Sequence, residues 1–186
     1  LDTPQSNTGH IGYSDSVLIN HASINKMQII VPGMIARPGT LDGEDGTPMG
    51  QIKSQPFYVT VNACDSWWNV ISSGTGATDT IQLTTNDNTH ALASRVGQTL
   101  VQPPVTGFLT NGTTLMQVEN TAESSSFLIT VSNASRGGIT EDTSPAINIF
   151  TIYTFIITGS DGNPIGQQTA GTPFNIRIVA YSSYGN

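Results

Sequence analysis

An all-β, antiparallel sandwich is the fold class this sequence predicts, and three observations predict it. Short runs alternate strictly between apolar and polar side chains, the period-two pattern of a strand with one face on a core. Clusters of Pro, Gly, Asn and Asp separate those runs and supply turn chemistry. No stretch carries a sustained 3.6-residue apolar stripe, so helices are not expected.

The clearest run starts at Phe57. Phe57, Val59, Val61 and Ala63 share one face, and Tyr58, Thr60, Asn62 and Cys64 share the outward one. Ahead of it, Met27 to Val31 reads as a strand that leads into a long Pro/Gly-rich loop over 32–48. Asp79 to Thr85 follows, with Ile81 and Leu83 inward, and then Thr114 to Glu119. Ser126 to Ser132 puts Phe127, Ile129 and Val131 on one side, and a turn near Asn120 to Ser125 joins it to the strand before. Ala146 to Ile149 and Ile152 to Thr158 are separated by a short connection. Phe174, Ile176, Ile178 and Ala180 alternate with Asn175, Arg177, Val179 and Tyr181. No strand is assigned over 86–112. Arg37-Pro38-Gly39, Asp42 to Pro48, Gln102-Pro103-Pro104, Asn111-Gly112 and Ser160 to Pro164 are the breakers.

The chain also repeats itself. Pro56 to Ala63 and Asn69 recur as Pro173 to Ala180 and Asn186 at a constant offset (173 − 56 = 186 − 69 = 117). Gly9, Ile11, Ser16, Ile19, Asn20 and Ile24 recur as Gly137, Ile139, Ser144, Ile147, Asn148 and Ile152 (137 − 9 = 152 − 24 = 128). The offsets differ by 11 residues, which places a net insertion in the first copy between Ile24 and Pro56. Self-similarity at fixed spacing is the mark of a modular array. The expected organisation is a terminal strand segment of a neighbouring module over 1–23, a complete sandwich over 24–149, and the first strands of a second module over 150–186. The central span is 149 − 24 + 1 = 126 residues, enough for an independent core.

Composition narrows the function classes. Only 10% of residues are charged, and neutral polar Thr, Ser, Asn and Gly cover the surface, a balance that suits a chain outside the cell. The net charge of −7 and the scatter of six basic residues argue against nucleic acid and against an anionic membrane surface. No run approaches the roughly 18 apolar residues of a membrane-spanning helix. The single cysteine, Cys64, cannot form an internal disulfide. It reads as a small strand residue, the alternative being an intermolecular bridge or a reactive thiol.

The run Lys26-Met27-Gln28-Ile29-Ile30-Val31-Pro32-Gly33, the Pro/Gly loop, Gln55 to Asp65, the turn ending Trp67-Trp68-Asn69, and Asp79 to Thr84 together resemble the tandem bacterial Ig-like domains of invasin-like and other cell-surface repeat proteins. Ala170-Gly171-Thr172-Pro173-Phe174 through Tyr184-Gly185-Asn186 is a still closer match to their second strand. The resemblance implies an immunoglobulin-like sandwich in tandem, and service as a stalk, spacer or fibre shaft, with some terminal modules binding receptors or sugars. It identifies an architecture rather than an activity.

Chemistry-bearing residues are sparse. His10, His21 and His90 lie in separate segments, and neither an HxxxH spacing nor a GxSxG elbow is present, so an enzyme is not expected. Asp42, Glu44 and Asp45 offer oxygen ligands that calcium would accept, without the EF-hand spacing; a hydrated turn is the competing reading. Asp65 with Asn69, and Asp161 with Asn163, either hold an ion or close turns as Asx side chains. Trp67 and Trp68 either stack on a glycan or anchor a receptor, or pack on the 32–48 loop. Asn111 and Asn133 head N-glycosylation triplets.

The apolar face of Phe174, Ile176, Ile178 and Ala180 is the expected assembly face, because half a sandwich leaves an edge and a greasy side uncovered. Two accounts cover it: further strands along a longer tandem array, or strand addition by a neighbouring copy in a filament. Either way the expected partners are other copies or adjacent Ig-like modules. The functional expectation is a structural module of an extracellular appendage or filament, with an adhesin-type binding module as the alternative. A viral fibre or decoration protein shares the architecture.

Overall fold

The computed structural model describes residues 20–183. The expected terminal strand segment at 1–23 lies largely outside them. The described chain is all-β, without helix, and strands follow one another in chain order. They are β1 (Lys26–Ile30), β2 (Met34–Ala36), β3 (Glu44–Gly46), β4 (Gln51–Ile52), β5 (Phe57–Cys64), β6 (Thr80–Thr85), β7 (Ala91–Arg95) and β8 (Val105–Phe108). Next come β9 (Thr113–Asn120), β10 (Ser124–Phe127), β11 (Ile129–Asn133), β12 (Asp142–Thr143), β13 (Ile147–Phe150), β14 (Ile152–Gly159) and β15 (Ile176–Ser182).

Two four-stranded antiparallel sheets form the body, in the orders β1-β5-β9-β7 and β12-β11-β6-β8. A small sheet, β10-β13-β4, closes one side, and its β13–β4 pair is parallel. Alternation decides what each strand buries. Met27 and Ile29 of β1, Val59 and Val61 of β5, and Met116 and Val118 of β9 face Ile81 and Leu83 of β6 and Ile129 and Val131 of β11 in one apolar cluster. Phe127, Ile147 and Ile149 extend that cluster under the small sheet.

Three expectations change. The Ser126–Ser132 run is two strands, not one, because the chain switches sheets at Leu128: Phe127 pairs with Ile147, whereas Ile129 pairs with Thr85. Alternation continues through the switch, so Phe127, Ile129 and Val131 are all fully buried and the sequence gives no sign of it. The segment 86–112, which has no strand assigned from the sequence, holds β7 and β8. Both are edge strands whose inward residues are mostly small: Ala91 and Ala93 in β7, and Gly107 beside Val105 in β8. The 32–48 loop contains the β2–β3 hairpin.

After β13 only Thr151 intervenes before β14. β14 and β15 then form a two-stranded antiparallel ribbon of their own. β1 pairs with β5 as Lys26↔Cys64, Met27↔Ala63, Gln28↔Asn62, Ile29↔Val61 and Ile30↔Thr60. Adding 128 to the first member and 117 to the second gives Thr154↔Tyr181, Phe155↔Ala180, Ile156↔Val179, Ile157↔Ile178 and Thr158↔Arg177, all of which are among the seven pairs observed between β14 and β15. Each offset comes from sequence alone, yet together they return the register of the second ribbon.

Candidate assembly face and aromatic turn

The two ribbons share a pairing but differ in environment. In the first, Met27, Ile29, Val61 and Ala63 are inaccessible to solvent, since β9 lies along the free edge of β5 and the opposite sheet covers the face. In the second, no strand pairs with the outer edge of β15 among the described residues. Phe155, Ile157, Phe174, Ile176 and Ile178 are each about half exposed or more, and Ala180 is exposed with them. Phe174 stands just before β15 rather than within it. Single exposed apolar residues are ordinary, whereas these five lie together on one side of the ribbon.

The opposite face of the ribbon differs as well. Gln28, Asn62 and Cys64 of the first copy correspond to Ile156, Val179 and Tyr181 of the second. In the first copy these three are buried, which corrects the expectation that Cys64 points outward. The cause is the 32–48 insertion, which folds over that end of the sheet. Gln28 Nε2 donates to the Gly43 carbonyl at 2.8 Å, and Asn62 Nδ2 donates to Gln28 Oε1 at 3.0 Å. Every polar group enclosed there therefore needs a partner within the protein, and these bonds supply it. Cys64 Sγ lies 3.8 Å from Gln28 Oε1; burial, followed by the nearby Asp65 carboxylate, pushes its thiol up to about 12. A thiol so held is a packing residue.

The tryptophans divide. Trp68 is half-buried, with a backbone φ of 67°, a left-handed conformation rare for a bulky side chain. Its indole donates to the Leu41 carbonyl at 3.1 Å, and Lys26 Nζ sits 3.8 Å from its ring centroid. Gly43 lies against the same ring: a Cβ there would stand 2.1 Å from the indole, and φ at Gly43 is +78°, so glycine is required on both counts. Trp68 is thus the anvil on which the loop is folded. Trp67 is 60% exposed, its carbonyl taking the Gly39 N–H, with the still more exposed Leu41 on the facing loop.

The turn that carries both rings is organised by Asp65. That carboxylate accepts hydrogen bonds from the backbone N–H groups of Ala22, Trp67 and Asn69 and from Asn69 Nδ2. Burial pushes its pKa up, but these donors outweigh burial and hold it below the usual carboxylate range. Asp161 and Asn163 bond to each other in the same manner. Both pairs close turns.

Asp42, Glu44 and Asp45 do not converge. Asp45 reaches Arg37 at 3.4 Å, whereas Glu44 is raised by burial and then by the charges of Asp142 and Asp42. Asp142 is the residue the sequence did not point to, since it lies far along the chain. It is raised by burial even though it accepts from the Ile29 N–H. Among the described residues no group of three His, Cys, Asp or Glu side chains is arranged to hold a metal ion. Asn111 is exposed in a tight turn with φ 50°. Asn133 instead spends its Nδ2 on Asp79 at 2.7 Å, in a cluster completed by bidentate Arg136.

Neither a protein-family model nor a curated protein sequence matches the chain. Among solved structures it is similar to a glycosyl hydrolase family 2 member from Bacteroides cellulosilyticus, at 10% identity and a TM-score of 0.43. That match covers 69% of this chain and 14% of the other.

Proposed function

We propose that this protein is a non-enzymatic structural module of an extracellular, bacterial-type surface appendage or filament. It is built from immunoglobulin-like sandwiches in tandem and joined to its neighbours through β-strand contacts. One observation carries the reading. β14–β15 reproduces the pairing of β1–β5 residue for residue, yet leaves open the apolar face that β1–β5 buries. A strand pair with that grammar is built to be covered, and strand addition covers it with main-chain hydrogen bonds and side-chain burial together. The low charge content fits an exposed appendage, and the one-residue joint at Thr151 favours a stiff connection. His90 Nδ1 is held by the Asp87 carboxylate, whereas His21, the ring beside Ser73 Oγ, turns its Nδ1 to the Ala22 carbonyl, so the histidine next to a hydroxyl is not the one oriented by a carboxylate.

Electron microscopy and light scattering of the purified chain over a range of concentrations test this. The expected result is ordered oligomers or filaments that disappear in the Phe155→Asp/Ile178→Asp variant. A chain that stays monomeric at high concentration removes the assembly role. The adhesin reading keeps one specific support, the exposed Trp67 side chain. Binding to a glycan panel that is lost on Trp67→Ala and retained in the ribbon variant would establish it instead.

A further inference from the structure

The first module shows what covers a ribbon of this register. On its free edge β5 takes β9, in the pairs Phe57↔Val118, Val59↔Met116 and Val61↔Thr114. Shifted by 117, the β5 members of those pairs become Phe174, just before β15, and Ile176 and Ile178 within it, all of them left open. The hydrogen-bonding edge, the facing direction and the spacing of the inward residues are all inherited. The shape requirement differs little, since Ile stands for Val at two positions and Phe for Phe at the third.

A second copy of the described fold does not meet the need as it stands. Its β9 is already flanked on both sides, by β5 and β7. Its edge strands in the body are β1, β7, β8 and β12; Thr140 bridges the outer side of β1 and Val101 that of β7, and β8 and β12 are only four and two residues long. Two copies meeting ribbon to ribbon would hide some apolar surface, but each would still lack the opposing sheet that seals Ile29 and Val61.

We infer that the free edge of β15 is an acceptor for one kind of partner: an antiparallel strand of β9 type, supplied by polypeptide of this same module class. That strand places an apolar residue opposite Ile176 and is followed by the opposing sheet. This rests on the assembly reading above and gives it a register.

Two chimeras test it; Cys64 is replaced by Ala in the first and is absent from the second. In the first, the full chain is extended after Asn186, the counterpart of Asn69 (69 + 117 = 186), with a second copy of its own residues 70–150. In the second, residues 24–69 are exchanged for residues 152–186, so that the second ribbon is offered to the native β6–β13 body. Hydrogen exchange reads the coverage. The β15 amides whose counterparts in β5 face β9 should slow to the rate of those counterparts. Disulfide trapping reads the register: Ile176→Cys should cross-link with cysteine at the Met116 position, and not with cysteine at the Leu115 or Gln117 position. Directly opposed residues are within disulfide reach, whereas their neighbours point to the other face.

Protection with this cross-link in either chimera supports the inference. It is overturned if β15 stays unprotected in both, or if the cross-link forms in a shifted register. It is also overturned if Ile176→Cys links copy to copy in the unextended chain and the extension does not displace that link. The last result would leave assembly through the ribbon intact while refuting the β9-type partner, so the two claims fail separately.

Discussion

Cys64 illustrates how burial rather than residue type sets chemistry. Its thiol is enclosed under the loop and pushed up to about 12, so almost no thiolate exists near neutral pH. A maleimide or aromatic disulfide reagent at pH 8 should therefore label the native chain at a negligible rate and the urea-unfolded chain at once. Rapid stoichiometric labelling of the native chain would contradict the burial. The neighbouring Glu44 carries the opposite kind of information. Its pKa is raised by burial and by Asp142 and Asp42, so its charged form is disfavoured in the folded state. A folded acid with a raised pKa binds its proton more tightly than the unfolded one, and stability rises as pH falls through the folded value. Glu44→Gln should thus be more stable than the parent at pH 7, with the difference vanishing once pH drops below about 4, where both states are protonated. Urea midpoints at the two pH values measure this, and a variant less stable at pH 7 would reject the assignment.

At the scale of elements, the two ribbons permit a paired comparison. Ile29 and Ile157 are the same residue type at equivalent positions (29 + 128 = 157), one inaccessible to solvent and the other 55% exposed. Ile29→Ala should cost about 3 kcal/mol, the usual penalty for a buried cavity of that size. Ile157→Ala should cost no more than about 0.5 kcal/mol in the isolated chain, as at other surface sites. Equal losses in denaturant titrations would mean the second ribbon is already covered. The sequence made β1, β5, β6 and β9 legible because their inward residues are large and alternate with polar ones. It hid β7 and β8, where inward Ala91, Ala93 and Gly107 leave Val105 as a lone larger apolar residue, and Gly107 is needed small because a Cβ would stand 2.9 Å from the Met116 sulfur. Of the candidate sites, the apolar face of β15 was readable from parity alone. The proximity of Asp142 to Glu44 was not, since it arises from β12 lying on the sheet edge beside β1.

For the molecule as a whole, carboxylates tie distant segments together and set the response to acid. Asp79 is held below the usual range by Arg136 and then by Asn133, against burial, and so links the start of β6 to the end of β11. Asp65 fixes Ala22, where the chain enters the sandwich, to the aromatic turn. A carboxyl depressed in the folded state contributes stability that is present above its unfolded pKa and is lost as pH falls through the folded value. Both contributions should therefore fade below about pH 4, the opposite sense from Glu44 and Asp142. Arg136→Ala, which leaves the Asp79 carboxylate short of its main donors, should lower the melting temperature at pH 7 and lower it much less at pH 2. Thermal melts at both pH values decide it, and an equal loss at each would show that Arg136 acts through packing.

The fit of Gly43 against Trp68 has an optical consequence. The chain has two tryptophans, adjacent in sequence, one in water and the other between a lysine and a glycine. Their emission should be composite: a red, acrylamide-quenchable part from Trp67 and a bluer, shielded part from Trp68. Lifting the insertion off the indole would shift the second part alone, so fluorescence would follow that local opening while the β-sheet signal in circular dichroism stayed unchanged.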